Sequence, residues 1–420
     1  MSLLQLRAGN RCSSSKEPHL MWTIPLASSV VEVPKSRIRE LADIAFSMDG
    51  VLKLYFGESN LPTPQYIKDA AAKALEQGYT FYTENAGLPS LRSAIARKYQ
   101  ELHQVGPDPT KEIVVTASGV QALNLGIRCT LNPGDEALVL TPAWPNGACI
   151  VRLFSALPRE IPLLLKDKNY EIDFDQLEGV TTSRTKLLVY TSPSNPLGWV
   201  ASLQDQGKLL EFCRRHRLWL LADEVYERIY YEGNVAPSLL RLCTRDDAVI
   251  VVQSFSKTYC MTGWRLGWLV ARSDLAQKAT ELNEFIVSHA PAMAQKAGET
   301  ALRDGEPEIR EMIGKLRDQR GFCIRALSSM KRLTLPKPEG AFYLFPRIEG
   351  LTDSFGFCHS LLLEKRVGLA PGVAFGAGGE GSVRICYAAD RSVLEPAMER
   401  LAEFLENWSC TQTRIKARPW

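Results

Sequence analysis

Short apolar runs alternate with helical patterns through the middle of this chain of 420 residues. Helical patterns such as residues 204–216 separate several of these runs. The alternation is typical of a mostly parallel sheet covered by helices. In such sheets ligands bind beyond the carboxyl ends of the strands, so the polar residues that directly follow the runs are candidates for a functional site. The strand-like runs lie at residues 113–117, 137–140, 186–190, 218–222 and 248–252.

The pattern changes after about residue 305, where helical and strand-like segments predict a separate α+β lobe. These segments lie at residues 308–330, 341–345, 355–365, 383–387 and 393–407. A chain of this length is too long for one small core, so we predict an α/β protein with two domains. The predicted segments are a disordered extension (1–21), an N-terminal arm with part of the small domain (22–60), a large domain that carries the site (61–305), the small domain (306–408) and a loose tail (409–420).

The composition argues against several classes of function. The formal net charge of +3 gives no electrostatic reason to expect nucleic acid or a membrane surface as a partner. No apolar run approaches the ~18 residues that a membrane span needs. The ten cysteines stand singly and the five histidines lack metal-ligand spacing, so we expect reduced thiols, no metal and a cytoplasmic location. Two alternatives to a disordered extension are an organelle transit peptide in residues 1–20 and a true start at Met21.

Residues 376–381 match the GxGxxG spacing of dinucleotide-binding loops. In the genuine motif the glycines follow a strand and open a helix, and an acidic residue stands ~20 positions further on. Here residues 382–387 alternate like a strand, and position 401 is a leucine. We therefore interpret this segment as a flexible loop and not as a nicotinamide-binding site.

Residues 254–267 hold the most informative polar pattern in the chain. Lys257 stands among small hydroxyl residues, and Arg265 follows eight positions later, behind Thr262 and Gly263. A crowded, partly dry loop lowers the pKa of a lysine and prepares it to form an imine. An arginine on a fixed turn can meet a phosphate with both arms of its guanidinium. The pair suggests a lysine that carries pyridoxal phosphate; an ordinary pair of cations on a surface turn is the alternative.

This segment resembles the Schiff-base signature of the class I/II aminotransferases, which are fold-type I enzymes that depend on pyridoxal 5'-phosphate. Other segments between residues 32 and 406 resemble the motifs of that family in the same order. The resemblance implies an aspartate-aminotransferase-like fold, in which helices sandwich a mostly parallel sheet and a smaller α+β domain is attached.

The resemblance implies three residues that act on the cofactor ring. Asp223 would keep the pyridine nitrogen protonated, and Tyr226 and Asn195 would donate hydrogen bonds to the phenolic oxygen. Two of these residues have ordinary alternatives, because an aspartate can cap a helix and Asn195 followed by Pro196 is a common turn. The implied catalytic residues are Lys257, Asp223 and Tyr226.

The resemblance also implies how the phosphate and the ring are held. Residues 117–123 follow a strand and open a helix, whose free N–H groups and dipole favour an anion. Trp144 would stack on the ring, although a core tryptophan is the alternative. Tyr82 would reach the phosphate in the neighbouring subunit, which implies a homodimer. The implied phosphate contacts within the chain are Ser118, Gly119, Val120, Ser254 and Arg265.

The α-carboxylate of an amino acid needs a second arginine, and Arg384 resembles the family's residue. Burial of an arginine between branched apolar residues is costly without an anionic partner. The resemblance implies that Gly57 and Asn195 complete the substrate contacts. Residues 286–295, where some relatives place an arginine for an acidic side chain, contain none. Because Phe56 also stands beside Gly57, we predict a neutral or apolar amino donor.

The predicted function is transfer of an amino group from an L-amino acid to a 2-oxo acid by a ping-pong mechanism. Carbon–sulfur lyases and synthases that form 1-aminocyclopropane-1-carboxylate share the same scaffold and residues, so both remain alternatives. A non-catalytic ligand-sensing domain of the kind fused to transcription regulators is a further alternative. The short N-terminal extension and the near-neutral charge argue against it.

Overall fold

The structure is a computed structural model, and it describes residues 25–31 and 33–408. Its strands are β1 (Leu52–Lys53), β2 (Ile113–Thr116), β3 (Glu136–Thr141), β4 (Leu157–Pro162), β5 (Leu164–Lys166), β6 (Asn169–Glu171), β7 (Thr185–Thr191), β8 (Trp219–Asp223), β9 (Val249–Ser254), β10 (Gly267–Ala271), β11 (Leu333–Thr334), β12 (Tyr343–Leu344), β13 (Arg347–Ile348), β14 (Val367–Gly368), β15 (Ala370–Pro371) and β16 (Val383–Cys386). Its α-helices are α1 (Ser28–Val31), α2 (Arg37–Phe46), α3 (Gln65–Glu76), α4 (Pro89–His103), α5 (Gly119–Arg128), α6 (Asn146–Leu153), α7 (Phe174–Val180), α8 (Leu203–His216), α9 (Phe255–Thr258), α10 (Ser273–Glu284), α11 (Ala292–Asp304), α12 (Glu306–Ser328), α13 (Ser354–Lys365) and α14 (Arg391–Asn407).

The large sheet has the strand order β2-β10-β9-β8-β7-β3-β4. Every neighbouring pair is parallel except those that involve β10, which runs antiparallel to β2 and β9. Helices cover both faces, so alternate residues of a strand pack into different cores: Ile250 of β9 packs with Leu221 and Leu269, whereas Val251 packs with Leu220. Burial on both faces explains the nearly continuous apolar sequence of these strands. The predicted α/β fold with a mostly parallel sheet is confirmed.

The C-terminal elements form a second group of layers, to which the beginning of the described chain also belongs. Strand β16 lies between β12 and β15, and β1 pairs in parallel with β14. Helix α2 packs on α13 and β15. Residues near the start of the described chain therefore pack with its end, as the arm predicted at residues 22–60 requires, but the predicted domain boundaries themselves stay a prediction.

Most predicted elements of the C-terminal lobe are present with slightly different ends. The long helix spans Glu306–Ser328 and not 308–330, and the predicted strand at 341–345 is reduced to Tyr343–Leu344. The glycine segment 376–381 lies in a loop before β16 and opens no helix. The strand after it is present, but all four residues of β16 are buried, so they do not alternate between buried and exposed positions as expected. The prediction that 376–381 forms no dinucleotide motif agrees with this placement.

Three predictions fall wholly outside the described residues. They concern the extension at 1–21, the transit peptide at 1–20 and the tail at 409–420. Within the described part of the chain, no helix is both long and apolar enough to cross a membrane.

Candidate active site

Lys257 lies in the short helix α9, directly after the carboxyl end of β9. Its Nζ donates a hydrogen bond of 2.6 Å to the carbonyl oxygen of Gly57, a residue 200 positions earlier in the chain. Burial lowers the pKa of Lys257 to about 8, and the nearby cations Arg384 and Arg265 act in the same direction. The structure therefore holds a lysine amine that is partly uncharged near neutral pH.

Asp223 ends β8, the parallel neighbour of β9, and its side chain is buried. Burial raises the pKa of Asp223 to about 6, while the N–H of Val225, 3.3 Å from Oδ1, and the charge of Lys257 act in the opposite direction. A cationic group placed against this carboxylate would reverse the rise in pKa. Asp223 is therefore suited to hold a protonated ring nitrogen.

Tyr226 and Tyr343 share a hydrogen bond of 2.6 Å between their hydroxyl groups, and both residues are buried. Burial raises the pKa of Tyr226, so its phenol stays protonated and can donate. The Nζ atom of Lys257 lies 6.0 Å from the centre of the Tyr226 ring. A side chain at Gly57 would collide with the hydroxyl of Tyr343, so the glycine allows the loop around it to approach this pair.

Arg384, on β16, is fixed from several sides. Its Nη1 donates to Oδ1 of Asn195 at 2.9 Å, and its Nη2 donates to the backbone oxygen of Tyr55. The guanidinium lies 4.7 Å from the ring centre of Tyr343 and 5.0 Å from that of Phe375. Its Nε is buried and has no hydrogen-bond partner among the described residues. An oriented arginine with an uncommitted donor is prepared to receive a carboxylate.

Three chain segments meet at the amino end of α5. Ser118, with a φ of 130°, caps this helix, and its Oγ accepts a hydrogen bond of 3.2 Å from the N–H of Gln121. A Cβ at Gly119 would lie 3.0 Å from the Cβ of Ser254, and a Cβ at Gly267 would lie 2.5 Å from the backbone nitrogen of Gly119. The first N–H groups of a helix have no partner within the helix. The close approach of glycines therefore builds a cradle of N–H and hydroxyl donors for an anion.

The other predicted site residues are joined less tightly. Val120 is partly buried on α5, and Trp144 is partly buried after β3. Arg265 is exposed, and its Nη1 donates to the backbone oxygen of Thr262 at 2.6 Å. Tyr82 is 90% exposed, and its ring meets that of His289 edge-on. The contacts above thus link Lys257, Asp223, Tyr226 and Arg384 with its partner Asn195, but they do not include Trp144 or Tyr82.

Three residues of the site were not selected from the sequence: Tyr343, Tyr55 and Phe375. Tyr343 stands in the apolar run 341–345, where its hydroxyl is the only signal that could have distinguished it from the core. Tyr55 contributes a backbone oxygen, and Phe375 contributes a ring face. Neither contribution has a sequence signal.

The donor set fits pyridoxal 5'-phosphate. It offers a lysine of lowered pKa, a buried carboxylate for the ring nitrogen, a phenol and an amide for the ring oxygen, and a helix amino terminus for the phosphate. The fold and this constellation define a pyridoxal-phosphate-dependent enzyme of fold-type I.

Comparisons with known proteins agree with this class. The model of the family "Aminotransferase class I and II" matches residues 50–401. An aspartate aminotransferase of Pyrococcus abyssi is 38% identical over 383 residues, which cover 90% of this chain and 98% of that protein. The structure of an aromatic aminotransferase from Pyrococcus horikoshii has a TM-score of 0.82 at 36% identity and covers 87% of this chain and 98% of its own. That of an aspartate aminotransferase from Thermotoga maritima has a TM-score of 0.85 at 30% identity and covers 91% and 100%.

The chain belongs to the class I and II aminotransferase family. It is a transferase that depends on pyridoxal 5'-phosphate and acts on small amino and oxo acids. The predictions of the family, the aspartate-aminotransferase-like fold, the cofactor and amino-group transfer are confirmed. The roles of individual residues stay predictions.

Proposed function

We propose that the protein moves the amino group of a neutral or apolar L-amino acid to a 2-oxo acid, with Lys257 as the residue that bears the cofactor and transfers the proton. The observation that carries this proposal is the position of Lys257. Its Nζ touches the loop of Gly57, acts on the pKa of Asp223 and lies beside the ring of Tyr226.

The residues around the lysine divide the work of holding the cofactor. When bound, pyridoxal phosphate supplies an aldehyde that accepts the amino group and a ring that withdraws electrons from the substrate Cα. Asp223 keeps the ring nitrogen protonated. Tyr226 donates to the ring oxygen, and so does the amide nitrogen of Asn195, whose oxygen is already engaged by Arg384. The remaining contacts that we propose are Ser118, Gly119, Val120, Ser254 and Arg265 for the phosphate and Trp144 for the ring face.

Lys257 moves the proton in each half-reaction. A pKa of about 8 leaves a useful fraction of the amine uncharged near neutral pH, so Nζ can take the proton from Cα and release it again. Arg384 and the backbone at Gly57 hold the α-carboxylate and orient the Cα–H bond toward Nζ. Donor and acceptor use the same site in turn, which gives ping-pong kinetics.

The test of the lysine assignment uses Lys257→Ala with Lys278→Ala as its control, because Lys278 forms an exposed ion pair on α10. Borohydride reduction of the cofactor-loaded wild-type and control proteins should attach a pyridoxyl group to the peptide that contains residue 257. Lys257→Ala should lack this label and show no multiple turnover with amino donors. Sustained turnover by Lys257→Ala would refute the assignment.

The preference for a neutral or apolar donor is supported by the surroundings of the Gly57 loop. Phe56 packs edge-on against Tyr55 with ring centres 4.6 Å apart and lies 6.2 Å from Phe46. Similar proteins are named for aspartate and for aromatic amino acids, so a panel of donors must decide. We expect kcat/KM to be highest for an apolar or aromatic donor with 2-oxoglutarate or pyruvate as acceptor. A clear preference for aspartate would contradict the proposal.

The working unit that we propose is a cytoplasmic homodimer in which Tyr82 completes the partner's phosphate site. Large apolar side chains stand exposed around Tyr82 and on the segment of its ring partner His289, namely Phe81 (80%), Phe285 (85%), Ile286 (49%) and Val287 (43%). Such a cluster is typical of a buried interface. The described cysteines are all free, as expected of a reducing compartment.

Subunit mixing tests the exchange of Tyr82. A hybrid of one Lys257→Ala subunit and one Tyr82→Phe subunit contains one intact site if Tyr82 acts on its partner, and none if it acts within its own chain. We expect light scattering to show a dimer and the hybrid to bind one cofactor with wild-type affinity. A monomer, or a hybrid with only weakened sites, would exclude the exchange.

A further inference from the structure

Two buried carboxyl groups alternate with the active-site residues at the end of β8. Asp223 and Tyr226 take part in the site described above, whereas Glu224 and Glu227 are 1% and 2% exposed and contact other elements. The N–H of Glu227 donates to the oxygen of Glu224 at 2.9 Å, which closes the turn around Tyr226. The mechanism proposed above uses neither glutamate. Burial of two more carboxyl groups so close to that of Asp223 costs free energy.

Glu227 is held by two side chains of α4. Its Oε1 accepts a short hydrogen bond from Nζ of Lys98, and its Oε2 lies 3.1 Å from Nε2 of His103. The ammonium of Lys98 also lies over the rings of Tyr99 and Trp268, at 4.7 and 5.3 Å from their centres. Burial would raise the pKa of Glu227, but Lys98 and His103 outweigh it and lower the pKa, so this carboxyl is an anion.

Glu224 is in the opposite state. Its Oε1 accepts a hydrogen bond of 2.8 Å from the N–H of Leu239, while its Oε2 is buried without a hydrogen-bond partner among the described residues. Burial raises the pKa of Glu224 to about 8, and the charge of Glu227 acts in the same direction. The N–H of Leu239, the hydroxyl of Ser238 and the charge of Lys98 only partly oppose this rise. Its burial, its single hydrogen bond and the neighbouring anion of Glu227 therefore favour the neutral form of Glu224.

We propose that Lys98, Glu227 and Glu224 are positioning residues of the active site. The Lys98–Glu227 ion pair fixes the turn after β8, and Glu224, which is buried and bonded to the N–H of Leu239, leaves Asp223 as the carboxylate that serves the cofactor ring. This inference rests on the roles proposed above for Asp223 and Tyr226. A buried ion pair stabilises a fold no better than apolar packing does, but removal of one partner leaves an uncompensated charge that disturbs its surroundings.

The groups that face these residues define what a pH titration can report. Around Glu224 they are Glu227, Lys98, Tyr99, Tyr190, Ser238 and Cys243. Around Lys257 they are Asp223, Tyr226, Glu58, Cys386, Arg384 and Arg265. Neither Lys98 nor Glu227 is among the groups that act most on Lys257 or Asp223, so an effect of Lys98 on the titration of Lys257 points to the turn.

The experiment titrates the visible absorbance of the cofactor-loaded protein and measures the dissociation constant of the cofactor from the apoprotein. In Lys98→Met we expect the pH midpoint of the absorbance to move by about half a unit or more and the dissociation constant to rise about tenfold. The double variant Lys98→Met/Glu227→Gln removes both charges and should restore the midpoint to within about 0.2 units. The control Lys278→Met loses only an exposed pair and should behave as wild type.

Two outcomes would overturn the inference. One is a Lys98→Met protein with a lowered melting temperature but unchanged midpoint and affinity, because a purely structural pair would give that result. If Lys98→Met does not fold, Glu227→Gln takes its place, and an unshifted midpoint has the same meaning. The other is a shift of more than about half a unit in the pH midpoint of the absorbance in Glu224→Gln, because an amide of the same shape should replace a neutral acid without effect.

A parallel variant separates this inference from the function on which it depends. Asp223→Asn should change both the midpoint and the affinity. If it changes neither, the role proposed for Asp223 is wrong. If it changes both while Lys98→Met changes neither, the role of Asp223 stands and only the positioning inference fails.

Discussion

Replacement of Arg384 by lysine tests the substrate site most directly. The substitution keeps the positive charge but removes the planar fork, which donates to Asn195 and Tyr55 and lies over the rings of Tyr343 and Phe375. A lysine ammonium presents one point of charge and cannot keep these contacts while binding both oxygens of a carboxylate.

The expected loss of kcat/KM follows from the number of hydrogen bonds that the arginine makes to the substrate carboxylate. A hydrogen bond between charged groups contributes about 1.5–3 kcal/mol. Arg384→Lys sacrifices at least one of the two that a guanidinium makes to a carboxylate, so kcat/KM for amino donors should fall about 10- to 150-fold at ~1.4 kcal/mol per factor of ten. Because the carboxylate is held in both the ground state and the transition state, most of the loss should appear in KM.

The assay follows the absorbance change of the half-reaction at increasing donor concentration. Arg320→Lys is the matched control, because Arg320 also donates to a backbone oxygen, that of Pro338, and its guanidinium lies 4.8 Å from the ring centre of Tyr231. The control should keep kcat/KM within about twofold, as expected of a residue outside the site. If Arg384→Lys keeps kcat/KM within the same range, the assignment of the carboxylate site is refuted.

Three further changes have defined outcomes. Gly57→Ala should displace Tyr343 and lower kcat/KM at least about tenfold, whereas Gly314→Ala, where a Cβ meets nothing within 4 Å, should leave it unchanged. Phe56→Ala should lower kcat/KM about tenfold more for bulky apolar donors than for alanine as the donor. An equal loss for both donors would contradict the apolar donor site. In the apoprotein the pKa of Lys257 is lowered from 10.5 to about 8, so the unfolded chain binds more protons between these values and stability rises with pH. Urea titrations should measure the difference in unfolding free energy between wild type and Lys257→Met. This difference should rise in favour of wild type by up to about 3 kcal/mol between pH 7.5 and 10.5. A constant difference would show that the amine is not desolvated.

Most strands of the large sheet that are buried on both faces could be predicted from the sequence, because burial requires continuous apolar runs. The edge strand β4 was not predicted, since Leu157–Pro162 contains two prolines and a charged pair and is mostly accessible. Strand β10 was also missed. Gly267–Ala271 begins two residues after Arg265, and its antiparallel direction depends on pairing with β2 and β9, which lie elsewhere in the chain.

Candidate site residues could be selected from the sequence where one residue type suits a chemical task and its local setting shows it. Lys257 among hydroxyl residues and Asp223 at the end of an apolar run are of this kind. Lys98 is not, because a lysine in the charged sequence of α4 is expected on the surface, and only the fold brings it to Glu227, 129 positions away. Contacts across such distances have no signature in the sequence of either partner.

The loop at residues 55–57 shows why the parts of this site cannot be understood one at a time. The backbone oxygen of Tyr55 accepts a hydrogen bond from Arg384, and that of Gly57 accepts one from Lys257. Because Gly57 has no side chain, the hydroxyl of Tyr343 can lie against it. The loop thus contacts Arg384, Lys257 and Tyr343, the hydrogen-bond partner of Tyr226, at once. Because its carbonyl oxygens serve two of these contacts, their geometry depends on the course of the backbone and not on side chains. A motif can identify the residues that meet here, but the backbone of one short loop decides whether they meet correctly.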